Sequence, residues 1–144
     1  MAQPKKENVP NSPLGKMYEE HIGFIRAHNV EGLLNQYADN CLLISTMTPD
    51  QRPLYVRGHT ELEKFFRERI FGLAKLEVEL AQWAETPDRL MIVENITAET
   101  TDGQPLNCRF YDNWYLVNGK IDTHFAGVVQ YPDGSFAGDT IAVP

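Results

Sequence analysis

The chain has 144 residues, 42% of them hydrophobic and 23% charged, and a net charge of −7 at neutral pH. This length fits one globular domain with one hydrophobic core. The negative charge argues against nucleic acid as a partner, because phosphate binding needs concentrated basic side chains. No run of about 18 apolar residues predicts a membrane span.

The cysteines and the N-terminal segment predict where the protein resides. Cys41 and Cys108 are too few and too far apart to form a disulfide framework, which indicates reduced thiols in a cytoplasmic protein. Residues 1–11 are polar and lack the apolar core of a secretory signal. We expect them to form a disordered tail before a single domain over 12–144.

Three helices are predicted in the first half of the chain. Ser12 and Pro13 are typical of a helix start, and apolar residues follow at steps of three and four to about residue 28. Asn29 can cap a second, short helix. A third is predicted over 60–70, where Gly72 is a natural stop.

The hydrophobic period changes to two in the second half of the chain, which indicates strands. The predicted strands are 41–47, 54–57, a segment around 76–80, 89–100, 106–117 and 120–131. Turn signals at Asp102-Gly103 and Asn118-Gly119 separate the last three. Because helices come first and an antiparallel meander comes last, the sequence predicts an α+β fold with helices on one face of the sheet.

This order of elements resembles the nuclear transport factor 2-like fold, a cone-like α+β barrel with two to three N-terminal helices on a curved antiparallel sheet. The segments NVEGLLNQYADNCLLIS (29–45) and VRGHTELEKFF (56–66) carry part of the resemblance. FYDNWYLVNGKIDTHF (110–125) is similar to the closing hairpin of the SnoaL-like polyketide cyclases and the ketosteroid isomerases. The resemblance covers residues 12–130. It implies a pocket but names no substrate, because this scaffold hosts several enzyme classes and non-catalytic binders.

The resemblance also implies which residues form the pocket. Asp112 matches the oxyanion-hole aspartic acid of the isomerases and the catalytic aspartate of the cyclases, and His124 matches a position that is frequently histidine. His21 falls where the isomerases place a tyrosine that hydrogen-bonds an oxyanion. Ser45 falls where they place the aspartate base, so steroid isomerisation by that mechanism is not expected. The implied catalytic set is Asp112, His124 and His21. The implied substrate-binding set is Tyr18, Ile25, Ser45, Phe65, Asn95, Cys108, Phe110, Trp114 and Val128.

Contact between Asp112 and His124 depends on the register of the last hairpin. A tight two-residue turn at Asn118-Gly119 puts their side chains on opposite faces of the sheet, whereas a three-residue loop over 117–119 puts them directly across from each other. We adopt the longer loop, which is usual in the family. The pair can then orient one histidine tautomer and exchange a proton with substrate. Alternatively, a protonated Asp112 donates to an enolate, or the pair is structural only.

Three functions fit this pocket. We favour a cofactor-free acid–base isomerase, cyclase or dehydratase acting on a hydrophobic, carbonyl-bearing small molecule, because an apolar carrier would not keep the polar side chains of His21, Asn95, Asp112 and His124 in its cavity. The alternatives are a non-catalytic carrier or sensor of such a molecule, and a protein–protein adaptor. Arg109 faces away from Asp112, which argues against the Asp-Arg-Asp set of an epoxide hydrolase. No motif has the spacing of metal ligands.

The convex face of the predicted sheet indicates a homodimer. We expect it to carry an apolar patch of Tyr111, Tyr115, Val117, Ile121, Phe125 and Val129. A patch of this kind usually marks an interface, since it would promote aggregation on a monomer.

Overall fold

The structure is a computed structural model that describes residues 8–48, 50 and 52–130, for Gln130 only the backbone. Its elements are helices α1 (Pro13–Arg26), α2 (Val30–Gln36) and α3 (Gly58–Phe65), a π-helical turn (Phe66–Ile70), and strands β1 (Tyr37–Ser45), β2 (Leu54–Arg57), β3 (Ala74–Thr86), β4 (Arg89–Glu99), β5 (Pro105–Val117) and β6 (Lys120–Gln130). The strands form one curved sheet in the order β2-β1-β6-β5-β4-β3. Strands β1 and β6 are parallel, and all other neighbouring pairs are antiparallel. The predicted α+β fold is confirmed.

The ends of the predicted domain fall partly outside the described residues. Residues 1–7 of the predicted tail and residues 131–144 at the other end lie there, so the tail and the domain boundaries stay predictions. Within the described part, Val9 packs against the main core. None of the helices described is long and apolar enough to cross a membrane.

The first two helices begin where the local sequence predicts. The Ser12 hydroxyl accepts a hydrogen bond from the Gly15 amide at 3.0 Å, and the Asn29 side chain accepts one from the Gly32 amide at 3.0 Å. Each contact satisfies a backbone donor that a helix start leaves free. Helix α3 begins at Gly58, two residues before its predicted start, and is followed by a π-helical turn rather than a continuous α-helix.

The hairpin between β5 and β6 turns through two residues, so the predicted three-residue loop is wrong. Asn118 and Gly119 have φ angles of 52° and 76°, and positive values at both positions are what a type I′ turn requires. Val117 pairs with Lys120 directly across this turn. Asn118 and Gly119 therefore form the whole loop, and Val117 still belongs to the paired strand.

A β-bulge then shifts the register of the same hairpin by one residue. Leu116 pairs with Ile121, but the preceding Tyr115 pairs with Thr123, which leaves Asp122 as the extra residue. The side chains of β6 beyond Asp122 are therefore turned to the faces opposite to those that an unbroken tight hairpin would give them. This shift decides which residues of β6 point at the helices.

The main core lies between the helices and the concave face of the sheet, while part of the convex face stays open. Among the predicted convex residues, Tyr111, Phe125, Val117 and Val129 are 39–40% exposed. The prediction was wrong for Ile121, which is fully buried because the two-residue turn pairs it with a core residue of β5. Tyr115 is half-buried, with the guanidinium of Arg89 4.5 Å from its ring centre.

Candidate functional site

A cavity of about 70 Å³ lies between helix α1 and the concave face of the sheet. The predicted residues that border it are Tyr18, His21, Ile25, Phe65, Phe110, Asp112, Trp114 and His124. Tyr18, His21 and Ile25 reach it together because residues three and four apart share a face of α1. Most of the remaining wall is aliphatic or aromatic, and its two carboxyl groups lie on β4 and β5.

Three residues predicted to bind substrate are buried but do not border this cavity. The Ser45 hydroxyl accepts a hydrogen bond from the Met47 amide at 3.1 Å, so it shapes the end of β1. Cys108 and Val128 pack with Ile96 in a second apolar cluster. The family resemblance implied that all three line the pocket, but none of them borders the cavity of this chain.

Asn95, the fourth such residue, lies on the convex face of the sheet. Its side-chain oxygen accepts a hydrogen bond from Arg109 Nε at 2.8 Å, and the two residues are paired across β4 and β5. Strand side chains alternate between faces, so the preceding residue, Glu94, is the one that borders the cavity. The prediction of Asn95 as a cavity residue was therefore wrong by one position.

Glu94 was missed by the sequence interpretation, although the sequence of β4 carries a signal for it. Apolar side chains recur at Leu90, Ile92 and Ile96, all of them buried. Glu94 occupies the next inward position of this alternation and is 4% exposed. A carboxyl group where the pattern demands an apolar side chain is costly unless it has partners or a function, and that interruption could have identified it.

Asp112 and His124 are in contact, with 2.6 Å between Asp112 Oδ1 and His124 Nε2. Trp114 lies directly across from His124 and Ala126 across from Asp112, which makes the two residues diagonal neighbours on the concave face. The bulge at Asp122 creates this arrangement, whereas the predicted register would have placed them directly opposite each other. Both side chains are at least nine-tenths buried.

Tyr37, the first residue of β1, holds the other side of the His124 ring. Its hydroxyl lies 2.8 Å from His124 Nδ1. Burial raises the pKa of Tyr37 well above its usual value and lowers the pKa of His124 to about 4. We therefore assign a neutral His124 that accepts a hydrogen bond from Tyr37 at Nδ1 and donates its Nε2 proton to Asp112.

Glu94 extends the cluster on the other side of Asp112. The Tyr18 hydroxyl donates to Glu94 Oε2 at 2.6 Å, and the carboxyl groups of Glu94 and Asp112 are hydrogen-bonded to each other. Burial and the neighbouring Asp112 carboxylate raise the pKa of Glu94 well above its ordinary value. Burial also raises the pKa of Asp112, while the hydrogen bond to Glu94 opposes that rise. Two adjacent buried carboxylates do not both ionise readily, so we assign the pair one shared proton at neutral pH, on Glu94, and one negative charge, on Asp112.

The cluster thus runs from Tyr18 through Glu94, Asp112 and His124 to Tyr37. In this protonation state Glu94 and His124 both donate to Asp112. A carboxylate in this position is a stronger base than one in water, and a protonated carboxyl group stands next to it. The arrangement can remove and return a proton without a metal or a coenzyme.

His21 lies beside this cluster, with its ring centre 6.4 Å from that of His124. Its Nδ1 is 2.9 Å from Gln36 Oε1, and Gln36 Nε2 donates to the Met17 carbonyl at 2.9 Å. Burial lowers the pKa of His21 to about 3. A neutral ring with its proton on Nδ1 cannot donate to an oxyanion from Nε2, so the structure does not support the oxyanion-donor role that the resemblance implied.

Among the described residues, no group of three His, Cys, Asp or Glu side chains is arranged to hold a metal ion. Besides Tyr18 and Tyr37, the ionisable members of the acid–base cluster are His124 and the carboxyl pair of Glu94 and Asp112.

Comparisons with known proteins identify the family and the fold. The family model for the SnoaL-like domain matches residues 18–124, whereas no curated protein matches the chain. An NTF2-like protein of unknown function from Burkholderia pseudomallei is 17% identical, with a TM-score of 0.69 over 90% of this chain and 99% of that one. A Mycobacterium tuberculosis protein solved in complex with estradiol-17beta-hemisuccinate is 21% identical, with a TM-score of 0.65 over 81% and 93%. Delta 5-3-ketosteroid isomerase from Mycobacterium sp. is 18% identical, with a TM-score of 0.66 over 83% and 99%.

Proposed function

Because the chain belongs to the SnoaL-like domain family, we propose that it is a cofactor-free enzyme performing acid–base isomerisation, cyclisation or dehydration of a hydrophobic, carbonyl-bearing small molecule. The observation that carries the proposal is the buried 2.6 Å contact between Asp112 and His124 at the wall of an apolar cavity. The steroid-binding and ketosteroid-isomerising neighbours of this fold support the class of substrate. Specific chemistry has to come from the site, since this fold hosts many reactions.

Asp112 is the proposed base. It takes a proton from the carbon next to the substrate carbonyl, and the electron pair of the broken C–H bond remains on the substrate as an enolate. Burial raises the pKa of Asp112, which makes it a better proton acceptor than an ordinary carboxylate. Hydrogen bonds from His124 and Glu94 hold the carboxylate in place.

Glu94 is the proposed acid of the return step. Its proton can pass to the substrate at a different carbon, which completes an isomerisation, or to a leaving hydroxyl, which completes a dehydration. The proton that Asp112 accepted then replaces it within the pair. This exchange restores the starting protonation of both carboxyl groups, so no co-reactant is consumed.

The charge of the cavity supports an uncharged substrate. None of the described residues that border it is Lys or Arg, whereas Glu94 and Asp112 together carry one negative charge. A substrate carboxylate brought next to this pair would be repelled in a surrounding of low dielectric. We therefore expect neutral carbonyl compounds to bind better than their carboxylate analogues.

A second candidate function is a non-catalytic carrier or sensor for the same class of molecule. The hydrogen bonds from Tyr18 to Glu94 and from Tyr37 to His124 favour it, because they satisfy the buried polar groups without any ligand. Both functions use the same cavity, but only the enzyme converts the bound molecule into a product.

Two further properties belong to the proposal. We propose that the protein is cytoplasmic, in keeping with two buried cysteines that are not paired with each other, Cys41 and Cys108. We also propose that it forms a homodimer through the convex face, where Tyr111, Phe125 and Val129 are exposed.

The test combines a binding screen with a proton-exchange assay. Steroid, polyketide and terpenoid ketones are screened by thermal shift, and each binder is then incubated with the protein in deuterated buffer. An acid–base enzyme should accelerate incorporation of deuterium next to the carbonyl, seen by proton NMR, above the rate in buffer. Binders that gain no deuterium and undergo no conversion would contradict catalysis and support the carrier.

A further inference from the structure

We propose that His21 is a specificity-determining residue that selects substrates carrying a hydroxyl group, by accepting a hydrogen bond from that hydroxyl at Nε2. The inference rests on the proposed function, since it concerns the same cavity and names a second feature of its ligand. It makes the ligand a hydroxylated carbonyl compound rather than a simple ketone.

The orientation of the Gln36 side chain is fixed by its contact with helix α1. Its side-chain nitrogen donates to the Met17 carbonyl at 2.9 Å, and a carbonyl oxygen only accepts. The amide can therefore not flip without placing two acceptors against each other. Gln36 Oε1 is fixed as the atom that faces His21.

The tautomer of His21 follows from this orientation of Gln36. Because Gln36 Oε1 can only accept, the Nδ1 atom at 2.9 Å from it must carry the proton. Burial keeps the ring neutral at ordinary pH, so Nε2 carries a lone pair. The hydrogen bond of the His21 side chain within the described part of the chain uses Nδ1 and leaves Nε2 without a partner there, and His21 is one of the residues that border the cavity.

The described hydrogen-bond donors near the cavity do not donate to His21 Nε2. The hydroxyl of Tyr18 donates to Glu94 and that of Tyr37 to His124, so neither is free to donate to Nε2. The ring of Trp114 lies 4.9 Å from that of His21, centre to centre, but its buried indole N–H makes no hydrogen bond to Nε2 or to any other described residue. The structure thus leaves a lone pair at the cavity that its own described side chains do not satisfy, and a ligand hydroxyl would satisfy it.

The protein should bind a ligand with a hydroxyl at this position more tightly than a ligand with a group that cannot donate a hydrogen bond. A site built to hydrogen-bond a ligand hydroxyl rejects an analogue of the same size that lacks it, because the buried protein group is then left unpaired. An effect of about tenfold in relative affinity corresponds to one such bond.

The experiment uses phenol and toluene, which differ by a hydroxyl against a methyl group of similar size. Dissociation constants of both are measured by NMR titration for the wild-type protein, for His21→Phe, and for His28→Asn, a control that removes an exposed imidazole away from the cavity. Asn tolerates the positive φ of this position. We expect the ratio of phenol to toluene affinity to fall about tenfold in His21→Phe relative to wild type. In His28→Asn the ratio should stay unchanged.

A phenol-to-toluene affinity ratio that stays the same in His21→Phe would overturn the inference, because the phenol hydroxyl would then be donating to another acceptor such as Asp112.

A measurement on the wild-type protein alone provides a second test, independent of whether the variant folds. Nitrogen NMR of labelled histidine should show His21 protonated at Nδ1 and unprotonated at Nε2 at neutral pH. A proton on Nε2 would equally overturn it. Neither readout needs turnover, so failure of the inference is distinguishable from absence of deuterium exchange.

Discussion

Two buried polar clusters lie back to back on strands β4 and β5. The concave cluster contains Glu94 and Asp112, and the convex cluster is the Asn95–Arg109 pair at 2.8 Å. Glu94 and Asn95 are consecutive residues, so the alternation of a strand sends them to opposite faces. The concave groups border an apolar cavity, whereas Asn95 and Arg109 do not border it. The comparison teaches that buried polarity alone does not locate a site, since the face to which it points decides what it can reach.

The largest expected effect is on the reaction rate, which should depend on the concave cluster and not on the convex cluster. With a substrate from the exchange assay, Asp112→Asn should lower the rate about 10²–10⁴-fold, because the variant keeps the shape of the side chain but cannot accept the proton. Asn95→Ala, on the convex side, is the matched control and should keep the wild-type rate. Equal losses in both variants, or none in Asp112→Asn, would remove the functional distinction between the faces.

A second comparison concerns stability. Phe65 is 7% exposed at the cavity wall and Tyr55 is 65% exposed on the edge strand β2. Phe65→Ala should lower the free energy of unfolding by about 3–5 kcal/mol, as emptying a buried aromatic site does. Tyr55→Ala should cost about 1 kcal/mol or less. Urea denaturation measures both, and a small loss at Phe65 would mean that the cavity wall is not packed as described.

The pH dependence of stability should reveal the buried histidines of the concave side. Folding lowers the pKa of His21 from 6.5 to about 3. A lowered pKa contributes stability that is complete above the unfolded value, here 6.5, and is lost as the pH falls below it. Between about pH 7 and about pH 5 wild type should therefore lose about 2 kcal/mol more than His21→Phe. Parallel curves in denaturant unfolding would show that folding does not lower the pKa of His21.

The smallest effect concerns association through the convex face. Tyr111, Phe125 and Val129 expose apolar surface there, and a homodimer would cover it. Light scattering at micromolar concentration should report about twice the 16.4 kDa of one chain. A mass near that of one chain would show that the convex surface is open and that the two faces differ more in burial than proposed.

The sequence predicts the parts of this molecule that depend on near neighbours. The caps at Ser12 and Asn29 and the strand alternation need only a few residues of context, and each has a recognised pattern. The bulge at Asp122 has a weaker signal. Ile121 and His124 are both buried although they are three positions apart, which breaks the period of two. That break could have suggested a bulge, but its position depends on the pairing of β6 with β5 and β1 together.

The candidate site was predicted unevenly for the same reason. The family resemblance brought Asp112 and His124 together, although the contact arises from a different register than the one predicted. Glu94 was missed because a carboxyl group on a strand is ordinarily assigned to the solvent side. Asn95 was predicted instead. Neighbouring residues of a strand point to opposite faces, so an error of one position placed the polar residue on the wrong face of the sheet.

The most direct test of the account is whether Asp112 and His124 act as one unit. The exchange rate is measured for Asp112→Asn, His124→Phe and the double variant, with circular dichroism to confirm that each is folded. We predict similar losses in the two single variants and little further loss in the double variant, because His124 acts by holding Asp112, the base, and residues that serve one step are not additive. Losses that multiply in the double variant, or single variants that lose stability while the folded fraction keeps its rate, would contradict the claim.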